Sequence, residues 1–271
     1  MIIDTHVHLE NFSTKDVSLA ERLTNLKRVM KQAQVDKAII LCCVDAVNRK
    51  AVQMDDILEL VKNEKNIFVV GTLSINYTPA QLGYVKELLQ QKRIIGIKFY
   101  PGYEAFYPND NRLDAAYALC EAYDVPAVFH SGETYGRGVG IKYSMPIHID
   151  DLAIRRPNLK IVIAHLGNPW LDEVMVILNR HTNVYADISA LVWRGFDSCW
   201  KPYYSDAIVR LIKWNDGQKH KLLFATDWPC HNDAVYYTFM KEYVRFVKQL
   251  RISKEDKELM LYKNAQKVFR T

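Results

Sequence analysis

Four histidines and one aspartate stand at the ends of short apolar runs, and residues of these types can bind a metal ion. His6 and His8 are two positions apart, so on a strand both side chains leave the same face. Imidazole nitrogens and a carboxylate oxygen, without a thiolate, suit Zn(II), Fe(II) or Mn(II). A catalytic ion keeps one position for water, lowers the pKa of that water towards ~7 and polarises a carbonyl. The sequence therefore predicts a catalytic metal site formed by His6, His8, His130, His165 and Asp227.

A single histidine at a strand end is more often a hydrogen-bonded core residue than a ligand. His148, His181 and His220 fall in or beside predicted helices and loops, and we interpret them as structural or surface residues. The other four close predicted strands, two of them as a His-x-His pair. That pattern favours a joint functional role for those four.

The apolar runs that carry these residues have the length and the β-branched content of strands. Several are apolar on both faces, as parallel strands covered by helices must be. They cover residues 2–6, 35–43, 67–75, 94–100, 125–130, 159–165, 184–188 and 221–226.

Amphipathic helical patterns alternate with these strands. They cover residues 19–33, 54–61, 80–89, 113–123, 147–154, 171–178, 206–214 and 234–250, and a last helix runs from Ser253, in a capping box with Asp256, to Phe269. The alternation predicts one α/β domain over residues 1–271, a (β/α)8 TIM barrel with a C-terminal helix. A doubly wound open sheet has the same alternation, but the glycine-rich turn that usually follows its first strand is missing here, as is a phosphate-binding Gly-x-x-x-x-Gly-Lys loop.

Composition excludes several classes of protein. With 49% hydrophobic and 25% charged residues among 271, the chain is expected to fold around a full core, and a net charge of +5 without a basic run argues against a nucleic-acid partner. No apolar run reaches a membrane span and the start lacks the pattern of a secretory signal, so we expect a cytoplasmic protein without a membrane partner. The five cysteines lack C-x-x-C spacing and are interpreted as reduced thiols, with Cys42 and Cys43 as strand residues.

Several segments together resemble the amidohydrolase superfamily of metal-dependent barrels, specifically the amidohydrolase-related (amidohydrolase 2) branch that includes aminocarboxymuconate semialdehyde decarboxylase. The combination of a His-x-His opening with an aspartate after the eighth strand is more specific than any single motif. The resemblance lies in DTHVH (4–8), GIKFYP (96–101), HSGE (130–133), AHLG (164–167), YADIS (185–189), FATDWP (224–229) and the terminal Asn264-Ala265.

The resemblance implies one divalent ion, zinc before iron or manganese, held by His6, His8, His130 and Asp227, with His165 orienting or deprotonating the water. In binuclear members the lysine that corresponds to Lys98 is carboxylated and bridges two ions, the second bound by His130 and His165. The segment Phe99-Tyr100-Pro101 favours an unmodified Lys98 that acts as an electrophile or contacts an anion. A buried ion pair between Lys98 and Asp187 or Asp227 is the alternative.

The expected reaction is hydrolysis of a C–N or C–O bond in an amide, lactone or ester, with Asp227 or His165 taking the proton. Nonoxidative decarboxylation of a muconate-like or aromatic acid is the alternative, and an inactive metal-binding or scaffold barrel is the third. Aromatic residues and cations in the predicted loops favour a small, planar or cyclic, anionic substrate. Arg137 and Arg194 rank first as anion contacts, with Trp193 beside them, and a homodimer is the expected assembly if the chain self-associates.

Overall fold

Eight parallel strands form a barrel in the computed structural model, which describes residues 1–10, 17–47, 51–134, 140–191, 200–214, 219–229 and 236–271. Each strand pairs with the next along the chain, in the order β1 to β8. The predicted (β/α)8 TIM barrel with a C-terminal helix is therefore confirmed. The strands are β1 Ile3–Val7, β2 Lys37–Leu41, β3 Ile67–Thr72, β4 Ile97–Phe99, β5 Ala127–Phe129, β6 Ile161–Ile163, β7 Val184–Asp187 and β8 Leu222–Leu223.

Most of the helices that connect the strands lie within two residues of the predicted bounds, but the seventh begins at Trp200, six residues before the predicted start at 206, and the eighth begins at Phe239, after the predicted start at 234. They are α1 Leu19–Ala33, α2 Met54–Val61, α3 Pro79–Gln90, α4 Asp114–Tyr123, α5 His148–Arg155, α6 Leu171–Arg180, α7 Trp200–Trp214 and α8 Phe239–Gln249. Part of the predicted start of the eighth helix lies outside the described residues. No helix in the described ranges is long and apolar enough to cross a membrane.

The barrel closes where β1 meets the segment that follows β8. Thr5 N–H donates to the Phe224 carbonyl at 3.0 Å, Asp227 N–H to the His6 carbonyl at 2.8 Å, and His8 N–H to the Trp228 carbonyl at 2.7 Å. These bonds set Asp227 directly beside His6 in β1 and His8, which follows β1. The closure of the barrel thus brings together residues more than two hundred positions apart.

An irregularity in β1 decides which of its side chains face the barrel interior. Ile3 packs with inward residues of the other strands, such as Leu41 and Val128, whereas strict alternation would turn His6, an odd number of residues later, outwards. The register between β1 and β2 shifts between Asp4 and Val7. This shift lets the apolar residue and the histidine occupy the same interior.

The C-terminal helix is not continuous. The capping box at Ser253 is present and starts α9 (Lys254–Glu258), but a π-helical segment, Leu259–Lys263, separates it from α10 (Asn264–Phe269). The Met260 carbonyl accepts the Phe224 N–H at 2.8 Å, so β8 ends earlier than predicted, because its backbone pairs with this segment. Helix α10 then packs Ala265, Val268 and Phe269 against the inward-facing apolar residues of the strands.

Candidate metal centre

Three side-chain atoms from the two sides of the barrel closure converge on one point. His6 Nε2 and His8 Nε2 lie 3.2 Å apart, and Asp227 Oδ1 lies 3.3 Å from the first and 3.2 Å from the second. Both imidazoles are buried. Three of the five residues predicted to form the site therefore meet at hydrogen-bond distance without any intervening group.

The opposite nitrogen of each ring shows why this arrangement calls for a cation. His6 Nδ1 donates to Asp187 Oδ2 at 2.9 Å and His8 Nδ1 donates to the Leu41 carbonyl at 2.8 Å. A neutral imidazole whose Nδ1 carries the proton has only a lone pair at Nε2. Two such lone pairs and a carboxylate oxygen cannot satisfy one another, whereas a divalent ion or a proton satisfies all three. The donor set fits a metal ion of the zinc type.

Asp187, at the end of β7, connects His6 to the neighbouring strand ends. Its Oδ1 accepts the backbone N–H groups of His165 at 2.9 Å and Ser189 at 3.0 Å, and it also accepts the Ser189 hydroxyl. Burial raises the pKa of Asp187, but the opposing effects of His6, His165 and Lys98 are larger, so its pKa lies well below the ordinary value. The charged carboxylate behind His6 is the arrangement that typically orients a metal-binding histidine.

His165 occupies an unusual backbone conformation directly after β6. His165, Leu166 and Gly167 have φ values of 58°, 49° and 61°, in the left-handed region, and the Asp187 carboxylate holds the His165 N–H. The Ser189 hydroxyl lies 2.8 Å from His165 Nδ1. Burial lowers the pKa of the imidazole, which is therefore neutral and able to take up a proton. Its ring centroid lies 4.9 Å from that of His6.

His130 lies in the same chamber but does not join the three-atom group. Its ring centroid is 5.0 Å from that of His165 and 4.8 Å from that of Tyr103, and its Nε2 lies 3.2 Å from the Glu133 carbonyl. Within the described ranges, the groups of donor atoms that could hold an ion combine His6, His8 and Asp227, or His6, His165 and Asp187, or His8, Glu10 and Cys43. His130, the fourth ligand implied by the resemblance, thus lies next to His165 and outside these groups.

Lys98, on β4, is fully buried. Its Nζ has no hydrogen-bond partner among the residues that the structure describes and lies 5.2 Å from the centre of the Tyr100 ring. Burial lowers its pKa to about 8, although the charges of Asp187 and Asp227 oppose that shift. The alternative of a buried ion pair with either aspartate is not seen in the described part of the chain.

The two ligand histidines differ in their titration. Burial lowers the pKa of His6 to about 3, with the charge of Lys98 acting in the same direction. Burial also disfavours the charged form of His8, but Cys43, Asp227 and Glu10 outweigh it and raise the pKa of His8 well above its usual value. In the absence of a metal, a proton on His8 would be the cation that the three acceptors share.

Four contributors to the site were not assigned to it from the sequence. Asp187 and Ser189 lie in the quoted segment YADIS, and their role depends on contacts across the barrel. Glu10 continues the two-residue spacing of His6 and His8, and that spacing could have identified it. Cys43 was interpreted as a strand residue, but β2 ends at Leu41, and the Cys43 sulfur lies 3.6 Å from His8 Nδ1.

Other residues singled out from the sequence lie elsewhere. His181 pairs with Asp150 at 2.6 Å, and His220 lies between the Leu222 N–H and the Asp256 carbonyl. The ring of His148 packs on that of Tyr107. Arg137, Trp193 and Arg194, the predicted substrate contacts, lie outside the described residues.

The fold and the donor set define a metal-dependent (β/α)8-barrel enzyme, and comparison with known proteins agrees with this class. Residues 3–271 match the family model Amidohydro_2, described as Amidohydrolase. The chain therefore belongs to the amidohydrolase family, whose members are metal-dependent hydrolases and decarboxylases. None of the curated protein sequences compared with the chain is significantly similar to it.

Solved structures share the fold at low sequence identity. A probable 2-pyrone-4,6-dicarboxylic acid hydrolase from Acinetobacter baumannii, with citric acid bound, is 15% identical, with a TM-score of 0.71 over 100% of this chain and 99% of that one. An amidohydrolase from Burkholderia multivorans with bound zinc is 18% identical, with a TM-score of 0.73 over 100% and 99%. A 5-carboxyvanillate decarboxylase from Novosphingobium aromaticivorans with bound manganese is 14% identical, with a TM-score of 0.69 over 100% and 97%.

Proposed function

We propose that this protein is a hydrolase that holds one divalent ion at His6, His8 and Asp227 and cleaves a C–N or C–O bond of a small anionic substrate. The observation that carries the proposal is the meeting of three hydrogen-bond acceptors within 3.3 Å of one another in a buried site. His130 is proposed as the fourth ligand. To reach the ion, the His130 side chain must give up its contact with the Glu133 carbonyl.

Zinc is the first choice of ion, with iron or manganese as alternatives, because all three accept nitrogen and carboxylate ligands. The zinc and manganese bound in the two solved structures show that this fold accommodates either ion. When bound, such an ion lowers the pKa of a water molecule and polarises a carbonyl group.

Proton transfer is assigned to Asp227 and His165. The side chain of Asp227 is 30% exposed, whereas that of His6 is 1% exposed, so among the three converging side chains Asp227 best reaches the open end of the barrel. Burial raises the pKa of Asp227, but hydrogen bonding to His8 and interactions with the neighbouring histidines outweigh burial and hold the pKa well below its ordinary value, so the carboxylate is ionised. Ser189 holds His165 Nδ1, so His165 Nε2 is the atom free for exchange with water or substrate.

Lys98 supports the assignment of an anionic substrate. Burying an ammonium group without a partner in the described residues costs free energy, and a bound anion would offset that cost. The substrate's carboxylate is proposed to provide that anion at the inner end of the site. Arg137, Arg194 and Trp193 remain predicted contacts for the outer part of the substrate.

Decarboxylation is the second candidate reaction. The likeness in fold to a 5-carboxyvanillate decarboxylase favours it, and the same acid–base residues could protonate the carbon that loses carbon dioxide. The substrate's carboxylate distinguishes the two reactions, because hydrolysis retains it and decarboxylation removes it. A panel of lactones, cyclic amides and carboxylated aromatic or muconate-like acids therefore tests both, with carbon dioxide release as the deciding measurement.

Metal content tests the site itself. The purified protein should contain about one equivalent of a divalent ion, and the double variant His6→Ala/His8→Ala should contain none. Two equivalents would favour a binuclear site with a carboxylated Lys98. Full metal content in the double variant would refute the ligand assignment, and no metal in the parent protein would favour a binding or scaffold barrel. Sedimentation would test the proposed homodimer.

A further inference from the structure

Glu10, two residues after His8, is a buried carboxylate that the reaction outlined above does not use. It is fully buried, and its Oε1 accepts the Cys43 N–H at 3.3 Å. Its Oε2 lies 3.4 Å from His8 Nδ1 and has no hydrogen-bond partner in the part of the chain that the structure describes. No lysine or arginine of those ranges forms an ion pair with it.

The groups around Glu10 present hydrogen-bond donors to both of its oxygens. Cys43 N–H donates to Oε1, and His8 Nδ1–H faces Oε2 at 3.4 Å, with its closer hydrogen bond going to the Leu41 carbonyl. A buried carboxylate without a cation carries a high desolvation cost. A divalent ion held where His8 Nε2 meets His6 and Asp227 would place a positive charge on the other side of the His8 ring. The imidazole therefore separates the carboxylate from the place of the divalent ion.

We propose that Glu10 is a positioning residue: it keeps the proton of His8 on Nδ1 and places negative charge behind the ring, so that His8 Nε2 binds the divalent ion more tightly. This inference rests on the proposed metal site. The Leu41 carbonyl, at 2.8 Å, takes the stronger hydrogen bond from Nδ1. Glu10, at 3.4 Å, therefore acts mainly through its charge. A substitution that removes the charge but keeps the size of the side chain should reveal how much Glu10 contributes to metal binding.

The central experiment measures zinc affinity of metal-free protein by competition with a chromophoric chelator. Outer carboxylates of this kind typically change metal affinity by about 10–100-fold. Glu10→Gln should weaken zinc binding by about that factor, and Glu10→Asp, which restores the charge, should recover part of the loss. In cobalt-substituted protein, the visible absorption bands should shift in Glu10→Gln, because the field at His8 changes.

Glu104 provides a matched control. It is also a partly buried carboxylate, with one oxygen bound to the Ile75 N–H at 3.3 Å and to the Ser74 hydroxyl, and with its other oxygen lacking a partner in the described ranges. Within the described ranges, it forms no hydrogen bond or ion pair with His6, His8 or Asp227. Glu104→Gln should bind zinc like the parent protein. Equal zinc affinities and equal cobalt spectra for Glu10→Gln and the parent protein would overturn the inference.

A second measurement keeps the inference testable if Glu10→Gln fails to fold. In the zinc-loaded parent protein, ¹⁵N NMR of the histidine rings should show His8 protonated at Nδ1, with the signal assigned by its loss in His8→Gln. A proton at Nε2 would contradict the inference. If the parent binds zinc through His6 and His8 while Glu10→Gln binds it equally well, only the role of Glu10 fails. If the parent binds no divalent ion, the proposed function fails as well.

Discussion

His6, near the end of β1, and His8, directly after it, point to the same place but are supported by different groups. His6 is backed by Asp187, a charged carboxylate at 2.9 Å that also holds the backbone of His165 and the hydroxyl of Ser189. His8 is backed by a neutral carbonyl, that of Leu41, at 2.8 Å, with the Glu10 carboxylate and the Cys43 thiol farther away. His6 is thus supported by an ionic network that it shares with His165 and Ser189. His8 is supported by a main-chain hydrogen bond, with the Glu10 carboxylate farther away.

This difference indicates that metal binding is coupled to proton transfer through the residues that support His6. Asp187 touches a ligand histidine and the candidate proton acceptor together, so any change on the His6 side should affect metal affinity and turnover at once. Behind the His8 ring lie the Leu41 carbonyl, the Glu10 carboxylate and the Cys43 sulfur, and within the described ranges none of these three residues contacts His165. Removing a group behind the His8 ring should therefore change metal affinity more than turnover at saturating metal.

The largest expected effect is that of Asp187→Asn, which breaks the coupled side. Loss of the charge should weaken metal binding by about 10–100-fold and lower kcat by a factor of about 10²–10⁴, because His165 loses its anchor. Metal titration and steady-state kinetics on the metal-saturated variant separate the two effects. Ser189→Ala, which keeps the carboxylate and removes only the hydroxyl, is the matched control and should retain the metal. Unchanged kcat in metal-saturated Asp187→Asn would contradict the coupling.

His165→Asn should separate chemistry from binding on the same side. His165 is proposed to take a proton without holding the ion, so most of the metal should remain while kcat falls by about 10²–10⁴-fold. Metal content by elemental analysis, together with kcat, provides the check. Loss of the metal in this variant would move His165 into the ligand set and favour two ions.

A smaller effect is expected on the His8 side from Tyr100→Phe. The Tyr100 hydroxyl donates to the Cys42 carbonyl at 2.9 Å and lies 3.4 Å from the Cys43 sulfur, so its loss loosens the segment beside His8. One buried hydrogen bond contributes about 1 kcal/mol, and we expect a corresponding drop in the free energy of unfolding with a change in metal affinity of about tenfold or less. If kcat of Tyr100→Phe at saturating metal fell as much as that of His165→Asn, the proposed difference between the supports of His6 and His8 would be wrong.

The smallest effect concerns a buried histidine outside the site. Burial lowers the pKa of His220, whose Nδ1 accepts the Leu222 N–H at 3.3 Å and whose Nε2 donates to the Asp256 carbonyl at 3.0 Å. The neutral ring stabilises the fold above the unfolded-state pKa of about 6.5. As pH falls below that value, the unfolded chain binds a proton more readily and stability decreases.

Urea unfolding of the parent protein and His220→Gln at several pH values tests this prediction. One group can change the slope by at most about 1.4 kcal/mol per pH unit. The parent should lose more stability than the variant between pH 7 and pH 5, and the two curves should run parallel from pH 7 to pH 8. Equal losses in both proteins in the acid range would show that His220 does not titrate differently on folding.

Much of the architecture was predictable because the signals are local. Helices α1 and α2 begin and end at the predicted residues, and every predicted strand overlaps a strand of the structure, since periodicity and breakers act over a few residues. The interrupted terminal helix and the short β8 were not predicted. Both depend on the contact between the Phe224 N–H and the Met260 carbonyl, which joins distant segments.

The sequence by itself determined the order of the elements and the placing of His6, His8, His130, His165 and Asp227 at strand ends. Side-chain period and the shared edge of parallel strands fix those features. Only the tertiary structure decided that Asp227 meets both His6 and His8, and that His130 does not join these three residues. It also decided which groups support the two histidines: Asp187 contacts His6, and Glu10 lies behind His8. The barrel closure and the register shift in β1 set those distances, and both arise from contacts between strands, which no local pattern of residues encodes.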